Sequence, residues 1–92
     1  MTVHVWDSSK YLKTKADARE VLRYVFEEGA YPEVIASTLA DIAKARGGIT
    51  KLARETGLTR MTLYKIINGE TQPSFPTIQK ILRAFGLKII IQ

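Results

Sequence analysis

The chain has 92 residues, 46% hydrophobic and 25% charged, enough for one domain with a modest core and too little for a large catalytic cleft. It holds no Cys, which excludes disulfides and thiolate metal sites; no apolar run reaches membrane-spanning length, no signal-peptide layout opens the chain, and the expected location is cytoplasmic. The net charge of +5 is uneven: residues 1–47 carry seven Lys or Arg against seven Asp or Glu, whereas residues 48–92 carry seven against two, so the second half suits a polyanionic partner.

Thr2 to Trp6 alternates β-branched and aromatic residues and reads as a short strand or an extended arm. Asp7 or Ser8 then caps a short helix with Tyr11 and Leu12 as its apolar residues. Trp6 either packs back on that helix as a staple or anchors a partner protein. The next helix runs from Thr14 to Glu28. Thr14 is its cap, Asp17 stands where a capping box places an acid, and Ala18, Val21, Leu22, Val25 and Phe26 form an apolar stripe. Gly29-Ala30-Tyr31-Pro32 breaks it. Pro32 suits the first turn of a helix over Glu33 to Arg46, with Val34, Ile35, Leu39, Ile42 and Ala43 as the buried stripe. Gly47-Gly48 ends that helix.

Thr50 to Gly69 reads TKLARETGLTRMTLYKIING and has the pattern of a helix-turn-helix that lays its second helix in the DNA major groove. Leu52 and Ala53 fall on the inner side of the first helix. Gly57 stands where the chain must reverse, and Leu58 fills the space under the turn. Thr59 is an N-cap for the second helix, and Leu63, Ile66 and Ile67 supply its buried side. Arg60, Met61, Thr62, Tyr64 and Lys65 are left outward or at the rim, and Asn68-Gly69 stops the helix.

Ser74 caps a further helix with Pro76 in its first turn and Ile78, Ile81, Leu82 and Phe85 inward; Gly86 ends it. Leu87 to Ile91 reads as a short strand. An exposed apolar strand requires a partner, for which Val3 to Trp6 of the same chain and the copy in a second subunit both qualify. The expected fold class is all-α, with five to six helices in a phage-repressor-like helix-turn-helix domain and short terminal strands. Residues 1–32 form an N-terminal arm and helices available to a protein partner, and residues 33–92 the DNA-binding region, within one compact domain.

Enzyme chemistry finds little support. The sole His is His4, near the terminus, and the neighbours Glu27 and Glu28 point apart on a helix. The glycines punctuate helices and spell no phosphate loop, and no ligand cluster suggests a metal. No catalytic residue, cofactor or metal is expected.

The run LARETGLTRMTLYKIINGETQPSFPTIQKILRAFGL resembles the phage-repressor-type (XRE/Cro-like) helix-turn-helix in its Leu-Ala pair, Gly57, Asn68-Gly69, Pro73-Ser74 and the Leu82, Phe85-Gly86-Leu87 ending. More narrowly, Trp6-Asp7, Tyr11-Leu12 and the phrase LADIAKARGGITKLARETGL resemble the addiction-module antidote proteins, the antitoxins of type II toxin–antitoxin pairs. The resemblance implies a homodimer that represses its own operon at a double-stranded DNA operator and binds a cognate toxin, usually a RelE-like ribonuclease. The chain departs from the repressor pattern at Ile67, where those proteins often carry Glu. A stand-alone phage-type repressor is the alternative, and a protein-interaction module without DNA binding a third.

In the DNA-reading role, Thr59, Arg60 and Met61 open the recognition helix, with Arg60 the candidate for bidentate contact to guanine. Thr62 or Met61 suits a thymine methyl, and Lys65 a base or a phosphate. Thr50 and Lys51, at the start of the first motif helix, suit a phosphate, as do Asn68 and Gly69. Tyr64 is placed with the phosphate contacts, base contact and no contact staying open. The acidic residues Asp17, Glu20, Glu27 and Glu28 suit a basic protein partner or a plain solvated face.

Overall fold

The computed structural model describes residues 14–90. Those residues form five helices: α1 Lys15–Glu27, α2 Pro32–Ala45, α3 Ile49–Thr56, α4 Arg60–Ile67 and α5 Phe75–Ala84. The chain is all-α, and none of the described residues lies in a strand. The expected arm or strand over Thr2 to Trp6, the short helix with Tyr11 and Leu12, the place of Trp6 and that of His4 lie outside the described residues.

Local chemistry sets the helix ends. Thr14 and Asp17 make a reciprocal capping box: the Thr14 Oγ1 accepts from the Asp17 N–H at 3.0 Å, and the Asp17 Oδ2 accepts from the Thr14 N–H at 3.3 Å. Thr59 and Ser74 cap α4 and α5 by accepting from the N–H of Thr62 and Thr77. At the other ends, α1, α2, α4 and α5 close with the same bond, in which the N–H of Ala30, Gly48, Glu70 and Leu87 donates to the carbonyl five residues back. The residue before each of these donors is a glycine with positive φ, which completes the C-terminal capping motif.

α2 is the centre of the packing. It touches α1, α3 and α4, while α3 also packs on α4 and α5. One core joins Ala18, Leu22 and Val25 of α1, Ile35, Leu39 and Ile42 of α2, Leu52 of α3, Leu63 and Ile66 of α4, and Ile81, Leu82 and Phe85 at α5. Burying each large aliphatic side chain contributes about 1.5–3 kcal/mol, so Leu63, wholly buried, holds α4 in place more than its short length could. No helix among the described residues is long and apolar enough to cross a membrane.

Two expectations are corrected. Val34 was expected in the buried stripe of α2 but is 40% exposed. It stands in the first turn beside the α1–α2 corner, where none of the described elements covers it. Leu87 to Ile90 is not a strand. The Leu87 N–H already donates to Leu82 in the α5 cap, and a strand needs a ladder partner, which none of the described residues supplies. The segment instead faces Arg23, Phe26 and Glu27 of α1 across a cleft of about 410 Å³.

Candidate nucleic-acid interface

The connection from α3 to α4 is only three residues long, Gly57 to Thr59. Gly57 adopts φ 77 and donates its N–H to the Ala53 carbonyl at 2.9 Å, which reverses the chain at the end of α3. Thr56 reinforces the turn. Its buried hydroxyl donates to the Leu52 carbonyl at 2.9 Å and accepts from the Leu58 N–H at 3.3 Å. The sequence pattern did not single out Thr56; a Thr just before a turn glycine is the signal that marks it.

Anchored by Leu63 and Ile66, α4 turns its other side to solvent. Arg60, Met61, Tyr64 and Lys65 are exposed on it. Arg60 and Tyr64 are one turn apart, as are Met61 and Lys65, so the four form a single outward face. Thr62 is half-buried at the edge of this face. The Thr59 hydroxyl donates to the Thr62 Oγ1 at 2.9 Å while accepting from the Thr62 N–H at 3.1 Å. Thr59 therefore serves the helix cap first, and its remaining capacity for another ligand is one lone pair.

Thr50 and Lys51 lie exposed in the first turn of α3. The stem of Lys51 rests over Gly47, where an added Cβ would meet its Cδ at 3.3 Å. Asn68 and Gly69 lie exposed at the end of α4, Asn68 as its C-cap. The arrangement thus brings Arg60, Met61, Tyr64 and Lys65 together on one helix face, puts Thr59 and Thr62 in its cap, and leaves Thr50, Lys51, Asn68 and Gly69 exposed at the ends of α3 and α4. Among the described residues, Lys51, Arg60 and Lys65 take part in no ion pair. Their charge is directed to solvent rather than neutralised within the fold.

Beside Lys65 runs a groove of about 270 Å³ that the sequence pattern did not suggest, lined by Thr62, Thr71, Gln72, Ser74 and Thr77 and by the apolar Ile66 and Pro73. Its signal in the sequence is the density of hydroxyl and amide side chains between Thr71 and Thr77. Chemically, the surface offers cations, hydroxyl groups and one exposed aromatic ring. The cations and the uncommitted hydroxyls are donors for an anionic ligand.

Known proteins give a family. The family model described as "probable addiction module antidote protein" matches residues 2–92. An uncharacterised protein of Haemophilus influenzae is 32% identical over 87 residues, covering 95% of this chain and 88% of its own. An uncharacterised protein of Methanocaldococcus jannaschii is 29% identical over 83 residues, covering 87% of this chain and 86% of its own. No solved structure matches at a significant level. With nearly the whole chain matched, the protein belongs to the addiction module antidote family.

Proposed function

We propose that the protein is the antitoxin of a type II toxin–antitoxin module, a sequence-specific DNA-binding autorepressor that also neutralises a cognate RelE-like ribonuclease. In this reading α3, the Gly57 turn and α4 form a helix-turn-helix of the phage-repressor type, carried by residues 33–92. Residues 1–32 contribute the toxin contact within the same compact domain. The observation that carries the DNA half is the outward face of α4, where Arg60 and Lys65 stand exposed without internal counter-charges. The toxin half rests on the family match.

Arg60 at the first position of α4 is the base reader, its two-pronged guanidinium matching the O6 and N7 of guanine. Met61 and Thr62 suit a thymine methyl, and Lys65 a base or phosphate further along the groove. Thr50, Lys51, Tyr64, Asn68 and Gly69 hold the backbone. In a homodimer, two copies of α4 about 34 Å apart would read a near-palindrome.

The test is co-expression with the neighbouring open reading frame and titration of the purified protein onto its own promoter. Relief of growth arrest together with promoter binding is the expected result. Promoter binding without relief would favour a stand-alone repressor, and loss of both would remove the proposal.

A further inference from the structure

The corner between α1 and α2 exposes large side chains that a solvated surface does not need. Tyr24 is 66% exposed, Tyr31 58%, and Val34 stands open beside them in the chain. On α1, Asp17, Glu20, Tyr24 and Glu27 recur at three- and four-residue intervals, so they share one side of the helix, away from buried Ala18, Leu22 and Val25. Glu28, the C-cap, leads from that side into the corner.

The corner is rigidly built. Ala30 sits at φ 52, a left-handed conformation unusual for a residue with a Cβ, and its N–H donates to the Val25 carbonyl at 3.0 Å. The Tyr31 ring lies against the backbone of Gly29, where an added Cβ would come within 2.8 Å of the ring Cε2. The Tyr31 carbonyl in turn accepts from the N–H of Val34 at 3.0 Å and of Ile35 at 2.9 Å. The ring is therefore mounted before any partner arrives, which lowers the ordering cost of binding.

Outside the Glu20 ion pairs, the exposed charge nearest the turn is acidic. Arg19 and Arg23 both pair with Glu20, at 4.0 and 3.4 Å. Glu27, Glu28 and Glu33 are exposed and join no ion pair among the described residues. An acidic rim around aromatic rings repels a polyanion. It attracts lysine and arginine side chains, which also stack on ring faces.

We propose that this corner is the docking surface for a cationic protein, with Tyr24 and Tyr31 as anchors, Val34 as the adjoining apolar contact, and Glu27, Glu28 and Glu33 as the rim. The inference rests on the antitoxin reading for the partner, which is the toxin. It extends the protein contact from residues 1–32 into the first turn of α2 and leaves α3 and α4 to DNA, so both can bind one chain.

The probe is the purified product of the neighbouring open reading frame, titrated onto the full chain by calorimetry. Tyr24→Ala should weaken its binding at least about tenfold, as for a buried aromatic anchor, and the paired charge reversal Glu27→Lys, Glu28→Lys should do the same. Both variants should keep the wild-type thermal midpoint and promoter affinity, because the altered side chains are exposed. Tyr31→Ala should behave alike but with a lower midpoint, since its ring packs on Gly29. If wild type binds the neighbour and the Tyr24 and Glu27/Glu28 variants bind it equally well, the antitoxin reading stands and this surface is wrong. If wild type does not bind it at all, both fall. If Tyr24→Ala breaks up a wild-type homodimer and leaves the neighbour's affinity intact, the corner belongs to a second copy and the inference is overturned.

Discussion

Arg46 and Glu55 form an ion pair across the α2–α3 junction, with the Arg46 Nη2 donating to the Glu55 Oε2 at 2.8 Å. Both side chains are largely buried, at 10% and 21% exposure, and the Arg46 guanidinium also lies 5.6 Å from the centre of the Phe85 ring. One side chain thus ties the end of α2 to the last turn of α3 and to the residue that caps α5. It adds to the core contacts of Leu52 that hold α3 against its neighbours.

Glu55→Ala should therefore lower stability by about 2 kcal/mol, less than for a fully buried pair because the Glu55 side chain keeps 21% of its exposure. For a domain of this size that is a fall of roughly 10 °C in the thermal midpoint, read by circular dichroism. The double variant Arg46→Met, Glu55→Leu should recover much of the loss, because apolar residues need no counter-charge. A double variant weaker than the sum of the single ones would show that the pair is not the source of the stability.

Gly57→Ala should cost about 1 kcal/mol, purely from backbone conformation. Nothing lies within 4 Å of an added Cβ there, so no steric term adds to the strain of holding φ 77. Gly57→Asn should cost less, since Asn enters the left-handed region more readily. Chemical denaturation decides between them; a loss well beyond the conformational figure would point to a contact the turn does not show.

Arg60→Ala should cost about 1–3 kcal/mol in operator affinity and relax the preference at one base pair. The check is fluorescence anisotropy with single-base operator variants. Unchanged discrimination at every position would remove Arg60 as the reader. Its exposed position predicts little change in thermal midpoint.

Lys51→Ala should act differently. A phosphate contact weakens binding on all sequences and lowers the slope of log affinity against log salt by about 1. Sequence preference should stay as in wild type. A changed preference with an unchanged salt slope would place Lys51 at a base instead.

Sequence alone determined the helices and their ends. The Thr14–Asp17 box, the Thr59 and Ser74 caps, Pro32, Pro76 and the terminating glycines are set by contacts within a few residues, and such contacts travel with the sequence wherever the segment docks. The outward face of α4 was legible for the same reason, because helical spacing puts Arg60, Met61, Tyr64 and Lys65 opposite Leu63 and Ile66. The tertiary structure alone decided what depends on neighbours distant along the chain. Val34 keeps the spacing of a core residue, yet none of the described elements covers it. Leu87 to Ile90 has strand composition, yet a strand is a property of two partners. Arg46 and Glu55 look like separate surface charges until the packing of α2 on α3 removes water from both.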